Sequence, residues 1–94
     1  MTHPLTVDSV LRTGKLTRMR RFRGKMFVAT AEQAYELDAV AEYIFRQVDG
    51  GTTIAQIAAK LAADYEVSDE QARTDIVELL EPFLEPGILE VVGA

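Results

Sequence analysis

The run from Gln33 to Ile57, QAYELDAVAEYIFRQVDGGTTIAQI, restricts the fold more than any other part of the chain. It opens with a short alternation that puts Gln33, Tyr35 and Leu37 on one face of a strand and Ala34 and Glu36 on the other. Asp38 then stands where a carboxylate can accept a free first-turn N–H, and Val40, Ala41, Ile44, Phe45 and Val48 make one helical apolar stripe. Gly50 is the expected end of that helix. Thr53 and Gln56 have capping-box spacing and start a second helix, with Ile54, Ile57, Ala58, Leu61 and Tyr65 along its apolar face. A strand that leads directly into two short, separately capped helices fits few architectures.

The flanks complete the pattern. Leu16 to Phe22 and Lys25 to Ala29 suit two strands joined at Arg23-Gly24, so the strand at Gln33–Leu37 is the third of a meander. Ser68 and Gln71 have capping-box spacing and open a third helix, which Pro82 should kink or end near Glu81. Ile88 to Val92, after Pro86-Gly87, reads as a short terminal strand or extended tail. Pro4, Thr13 and Gly14 break any periodicity at the start. The expectation is therefore an α+β winged helix-turn-helix, with a three-stranded antiparallel meander followed by three helices. Residues 1–15 form a flexible arm and residues 16–94 form one domain.

Composition excludes several chemistries. With no cysteine there are no disulfides, thiolate nucleophiles or Cys-ligated metal clusters. His3 is the single histidine and sits in the arm, so neither a Ser-His-Asp triad nor a helical His pair can be built. Asp49-Gly50-Gly51 lacks both the oxygen series of a calcium loop and the lysine of a phosphate loop. The carboxylates Asp69, Glu70, Asp75, Glu78 and Glu81 read as a solvated helix face. No catalytic, metal or cofactor site is expected. The start of the chain lacks the apolar region of a signal peptide and no run is long enough for a membrane span, so a cytoplasmic protein is expected.

Two features instead suggest binding. The third helix carries two apolar rows: Ala72, Ile76, Leu79 and Phe83, and beside them Val77, Leu80 and Leu84 with Arg73. Either both rows are core, or the second lines a groove with a cation at one end. The meander has two edges, and charge is a common way to blunt one. The first strand is loaded with Arg18, Arg20 and Arg21, whereas the third carries only Glu36. An open edge beside an apolar helix is what strand addition by a peptide requires. Charge is also divided along the chain: residues 1–27 hold seven Lys or Arg against one Asp, and residues 28–94 hold three against fourteen acids. The basic segment, with Arg18, Arg20, Arg21 and Arg23, reads either as a solvated face or as a surface that docks a partner.

Tyr35-Glu36-Leu37-Asp38, Ala41 and Ile44, Asp49-Gly50, Thr53-Ile54, Ile57 and Leu61, then Asp75, Leu79, Leu80 and Gly87-Ile88-Leu89, resemble the PqqD family in order and spacing over residues 16–92. These are small recognition proteins of ribosomally made, modified peptides. The resemblance implies a non-catalytic module whose partners are a precursor leader peptide and a modifying enzyme, such as a radical S-adenosylmethionine maturase or a lasso-peptide protease and cyclase. An iron–sulfur cluster would belong to that enzyme. It implies a peptide site at Gln33, Ala34, Tyr35, Glu36 and Leu37 together with Arg73, Ile76, Val77, Leu80 and Leu84. The Trp-containing ends of PqqD proper are missing, which points to a relative serving another modified peptide. The alternative is a winged-helix DNA-binding regulator. Its recognition helix, Ser68–Glu81, would bring five acids and only Arg73 to a phosphate-lined groove, so nucleic acid is disfavoured. An open edge also allows a homodimer.

Overall fold

The computed structural model describes residues 5–92; His3, Pro4 and the rest of residues 1–4, like residues 93–94, lie outside the described residues. Three strands form the meander in the order β2 (Arg18–Phe22), β3 (Lys25–Ala29), β4 (Ala34–Leu37), both pairs antiparallel. Phe22 faces Lys25, so Arg23-Gly24 is a two-residue hairpin loop. Both of its residues have positive φ, 54° and 79°, the backbone twist that such loops need. The strand expected from Leu16 begins only at Arg18. Lys15 and Leu16 are a turn closed by the Thr17 N–H on Gly14 O at 3.0 Å.

Alternation sorts the sheet into two faces. Met26, Val28 and Leu37 are buried and Met19 and Tyr35 half-buried on the inner face. Arg18, Arg20, Phe22, Lys25 and Glu36 are exposed on the outer one. Arg21 belongs to the inner side, at its rim, where it pairs with Glu42 at 2.6 Å.

The helices start where their caps predict. Asp38 accepts the Ala41 N–H, and α1 runs Ala39–Phe45. Thr53 and Gln56 form a complete capping box, and α2 runs Ile54–Tyr65. Ser68 accepts the Gln71 N–H, and α3 runs Asp69–Leu80. That cap is half a box, because the Gln71 side chain bonds Asp75 at 2.8 Å and not the Ser68 backbone. α1 is shorter than its apolar stripe suggests. It ends at Phe45, and Gly50 instead serves the loop beyond, where its N–H bonds Leu11 O at 2.9 Å. Val40 at the first turn stays exposed, and Tyr65 leaves the core to pack edge-to-face on Tyr43. Pro82 ends α3 as expected: a single 3-10 turn, Glu81–Phe83, takes over.

The start of the chain corrects the expectation of a loose arm. From residue 5 onward it is part of the fold. β1 (Leu11–Thr13) pairs antiparallel with β5 (Leu89–Val91), and Leu5 and Leu11 are buried. Val7 O and Ser9 O accept the N–H groups of Ala55 and Ile54, donors that the first turn of α2 cannot satisfy internally. Gly14, read as a breaker, is where the segment crosses the end of the helical region. Its N–H bonds Ile88 O at 2.9 Å, and a Cβ there would lie 2.1 Å from Gly87 O. One core joins these parts, with Val28, Phe45, Ile54, Ile57, Ile76 and Leu89 among its most enclosed side chains.

Candidate functional site

β4 is an edge of the meander. Its one strand partner among the described residues is β3, in the register Met26 with Leu37 to Ala29 with Ala34. A tight turn leads into it: Thr30 Oγ1 accepts the N–H groups of Glu32 and Gln33, and the Thr30 N–H bonds Gln33 O at 2.8 Å. The strand thus starts at a fixed point and carries neither Lys nor Pro to block a fourth strand. Lys25 reaches Glu36 from β3 at 3.7 Å, but both side chains remain more than half exposed.

Tyr35 connects this edge to the end of α3. Its ring meets Phe83 edge-to-face at 5.4 Å, and Phe83 meets Phe45 of α1 the same way at 5.1 Å. The Tyr35 hydroxyl bonds the Gln33 side-chain oxygen. Gln33, Tyr35 and Phe83 therefore form a continuous half-polar wall from the start of β4 to the 3-10 turn, braced from below by Phe45. Edge-to-face pairs of this kind add ~0.5–1.5 kcal/mol each beyond the area they bury.

The expected site residues divide three ways. Gln33, Ala34 and Glu36 are exposed and Tyr35 is half-buried on the edge strand. Val77 and Leu84 are half-buried on α3 and just past it, and Arg73 is exposed with a loose contact to Asp69 at 3.9 Å. Ile76 and Leu80, both 0 % exposed, are core residues and have no side-chain surface for a ligand. Leu37 is also buried, so it can offer only its backbone. The two rows expected on α3 are therefore regrouped: Ala72, Ile76 and Leu80 face the core, while Val77, Leu79, Phe83 and Leu84 border it. Helical spacing puts Phe83 on the core row, but the structure turns it onto Tyr35 at the rim of the core. Its position after Pro82 was the available signal, since a helix that ends there turns the next side chain out of the helical pattern.

Another concavity lies at the end of α1 and along α2, lined by Arg46, Gln47, Asp49, Thr52, Gln56 and Lys60. It is polar and shares no residue with β4 or α3. Asp49 is held in place there: its carboxylate accepts the N–H groups of Gly51 and Thr52 at 2.9 Å and the Thr52 hydroxyl at 3.1 Å. These bonds hold its carboxyl below the ordinary aspartate value. Among the described residues no cluster of His, Asp or Glu has the spacing to hold a metal ion.

A winged helix-turn-helix domain with a free sheet edge tied to its last helix is the class of protein that this geometry defines. The chain belongs to the PqqD family: the family model, coenzyme PQQ synthesis protein D, matches residues 23–89. A relative from Xanthomonas axonopodis pv. citri (strain 306), called PqqA binding protein, is 30% identical over 93% of this chain and 97% of its own. A PqqA binding protein of Xanthomonas campestris pv. campestris (strain 8004) is 33% identical over 73% of this chain and 75% of its own. Among solved structures, the PqqD part of Methylobacterium extorquens PqqCD, described as a stand-alone recognition element for ribosomally synthesised, modified peptides, superposes with a TM-score of 0.79. It is 27% identical, and the match covers 92% of this chain and 94% of that one. TbiB1, solved in complex with the TbiA(beta) leader peptide, has the same fold, with a TM-score of 0.73 at 15% identity over 88% of this chain and 96% of that one.

Proposed function

We propose that this protein is a non-catalytic recognition module that binds the leader segment of a ribosomally made precursor peptide and presents it to a modifying enzyme. The observation that carries this reading is the β4 edge: it ends one side of the sheet, lacks blocking residues, and is joined to α3 through Tyr35 and Phe83. A peptide laid antiparallel or parallel along it gains backbone hydrogen bonds, and its alternate side chains fall on the Tyr35–Phe83 wall and the half-buried Val77 and Leu84. Arg73, held only loosely by Asp69, is free to meet a carboxylate or carbonyl of the peptide. The names of the relatives, PqqA binding protein, support the same reading.

The enzyme served is of the radical S-adenosylmethionine or lasso-peptide protease and cyclase class, and the working compartment is the cytoplasm. The DNA-binding reading gains no support from α3, whose surface keeps Asp69, Glu70, Asp75 and Glu78 exposed with only Arg73 as a cation. Pairing of two copies through the open edge is separable by sedimentation across a concentration series. The function is tested by titrating a fluorescent leader segment of a ribosomal precursor peptide from the same genome. Saturable binding is expected; binding of duplex DNA with no peptide affinity reverses the assignment.

A further inference from the structure

We infer that the outer face of the meander is the docking surface for the modifying enzyme, and that it receives an acidic protein surface with an apolar contact for Phe22. The inference takes its setting from the peptide-binding reading, but its evidence lies on a different face. Three side chains of β2, Arg18, Arg20 and Phe22, point outward together, and Arg20 lies opposite Phe27 in register. Phe22 is 60% exposed and Leu16, in the turn before β2, is 77% exposed. The Arg23 guanidinium stands over the Phe22 ring at 5.3 Å. Arg18 and Arg20 have no ion-pair partner among the described residues. Arg21, grouped with them in sequence, is excluded because Glu42 already holds it on the other face.

An exposed aromatic ring framed by arginines is the composition that protein interfaces favour. The surrounding charge selects the partner. This face carries Arg18, Arg20, Arg23 and Lys25 against Glu36, while residues 28–94 hold fourteen acids against three cations. An acidic protein surface is attracted to the face and can orient away from the rest of the molecule. A long phosphate chain would run from the patch onto that acidic remainder. The position also suits an enzyme. With strands ~4.8 Å apart, a peptide strand added to β4 would lie only ~14 Å from β2. A partner covering ~800 Å² extends beyond this face and therefore reaches the peptide while it holds the patch.

The test measures two affinities separately, using the chain, the Arg18→Glu/Arg20→Glu double variant and Phe22→Ala. The probes are a purified radical S-adenosylmethionine or lasso-peptide modifying enzyme from the same genome and a labelled leader segment of its precursor, with circular dichroism to confirm folding. The double variant is expected to bind the enzyme at least ~10-fold more weakly, and the native affinity to fall steeply with salt, because exposed charges separated by more than ~8–10 Å are screened at physiological ionic strength. Phe22→Ala should weaken the enzyme as well but keep the salt dependence. Leader affinity should stay within about twofold, since neither variant touches β4 or α3. Unchanged enzyme affinity in the folded double variant overturns the proposal. So does a variant that instead loses self-association or single-stranded oligonucleotide binding, which would assign the face to a second copy or to nucleic acid. A native chain that binds enzyme but no leader would refute the proposed function and leave the docking surface standing.

Discussion

Single residues fix two junctions that the rest of the fold depends on. Gly14 lies where the N-terminal segment passes the turn before β5, and a Cβ would meet Gly87 O at 2.1 Å. That atom is backbone and cannot rotate away, so Gly14→Ala should cost at least ~2 kcal/mol. Urea denaturation measures it; a change below ~0.5 kcal/mol would mean that the crossing is looser than described. Glu42 is the second junction. It binds Arg21 of β2 at 2.6 Å and Arg46 at 2.8 Å, joining the sheet to α1. The hydrogen bond from Arg46, aided by the charge of Arg21, holds its carboxyl below the ordinary glutamate value. The unfolded chain then takes up this proton at a higher pH than the folded one. The stabilisation is complete above the ordinary carboxylate range and is lost as pH falls through the lowered native value. Glu42→Gln should therefore reduce stability near neutrality and flatten the decline on the acid side. Tm followed from pH 7 to pH 3 reads both effects, and parallel curves would remove Glu42 from the acid response.

At the scale of elements, the contrast lies within α3. Ile76 and Leu80 belong to the core, so substitutions there report on folding, whereas Val77 and the exposed Glu78 separate binding from folding on adjacent positions. Val77→Asp would place a carboxylate against a bound peptide and compete with the peptide for Arg73 one turn earlier, which should weaken leader affinity more than tenfold, about 1.4 kcal/mol or more. Glu78→Gln should do little. Equal affinities of the two folded variants would move the peptide elsewhere. Much of this architecture is legible locally. The caps at Asp38, Thr53 and Ser68, the Arg23-Gly24 hairpin and the stop at Pro82 depend on neighbours within four residues, and sequence carries that information directly. The facing of α3 is not local. Its two apolar rows lie about 100° apart around the axis, with Ile76 and Leu80 on their facing edges, and which side chains are enclosed depends on how α2 and the sheet pack around the helix. That is why Leu80 was expected in a groove and is buried, and why the partnership of Phe83 with Tyr35 could not be read.

At the scale of the molecule, the largest departure from sequence is the segment before Gly14. Its role depends on contacts across almost the whole chain, such as Arg12 to Glu90, 78 positions apart. No periodicity signals a three-residue strand whose partner lies that far away. Its leucines are nevertheless core, and its carbonyls cap α2. Starting the chain at residue 14 removes Leu5 and Leu11 and exposes Leu89, at ~2–4 kcal/mol for each large buried side chain lost. Tm should fall by at least ~10 °C; an unchanged Tm would restore the loose arm. The account as a whole rests on the edge at β4, and amide hydrogen–deuterium exchange with and without the leader segment tests it most directly. A peptide that adds as a strand must give partners to the β4 amides that β3 leaves free. Exchange should slow across residues 33–37 and, more weakly, across residues 77–84, with residues 18–22 unchanged. Saturating peptide that leaves residues 33–37 exchanging at their free rate while protecting β2 or α2 would contradict the account.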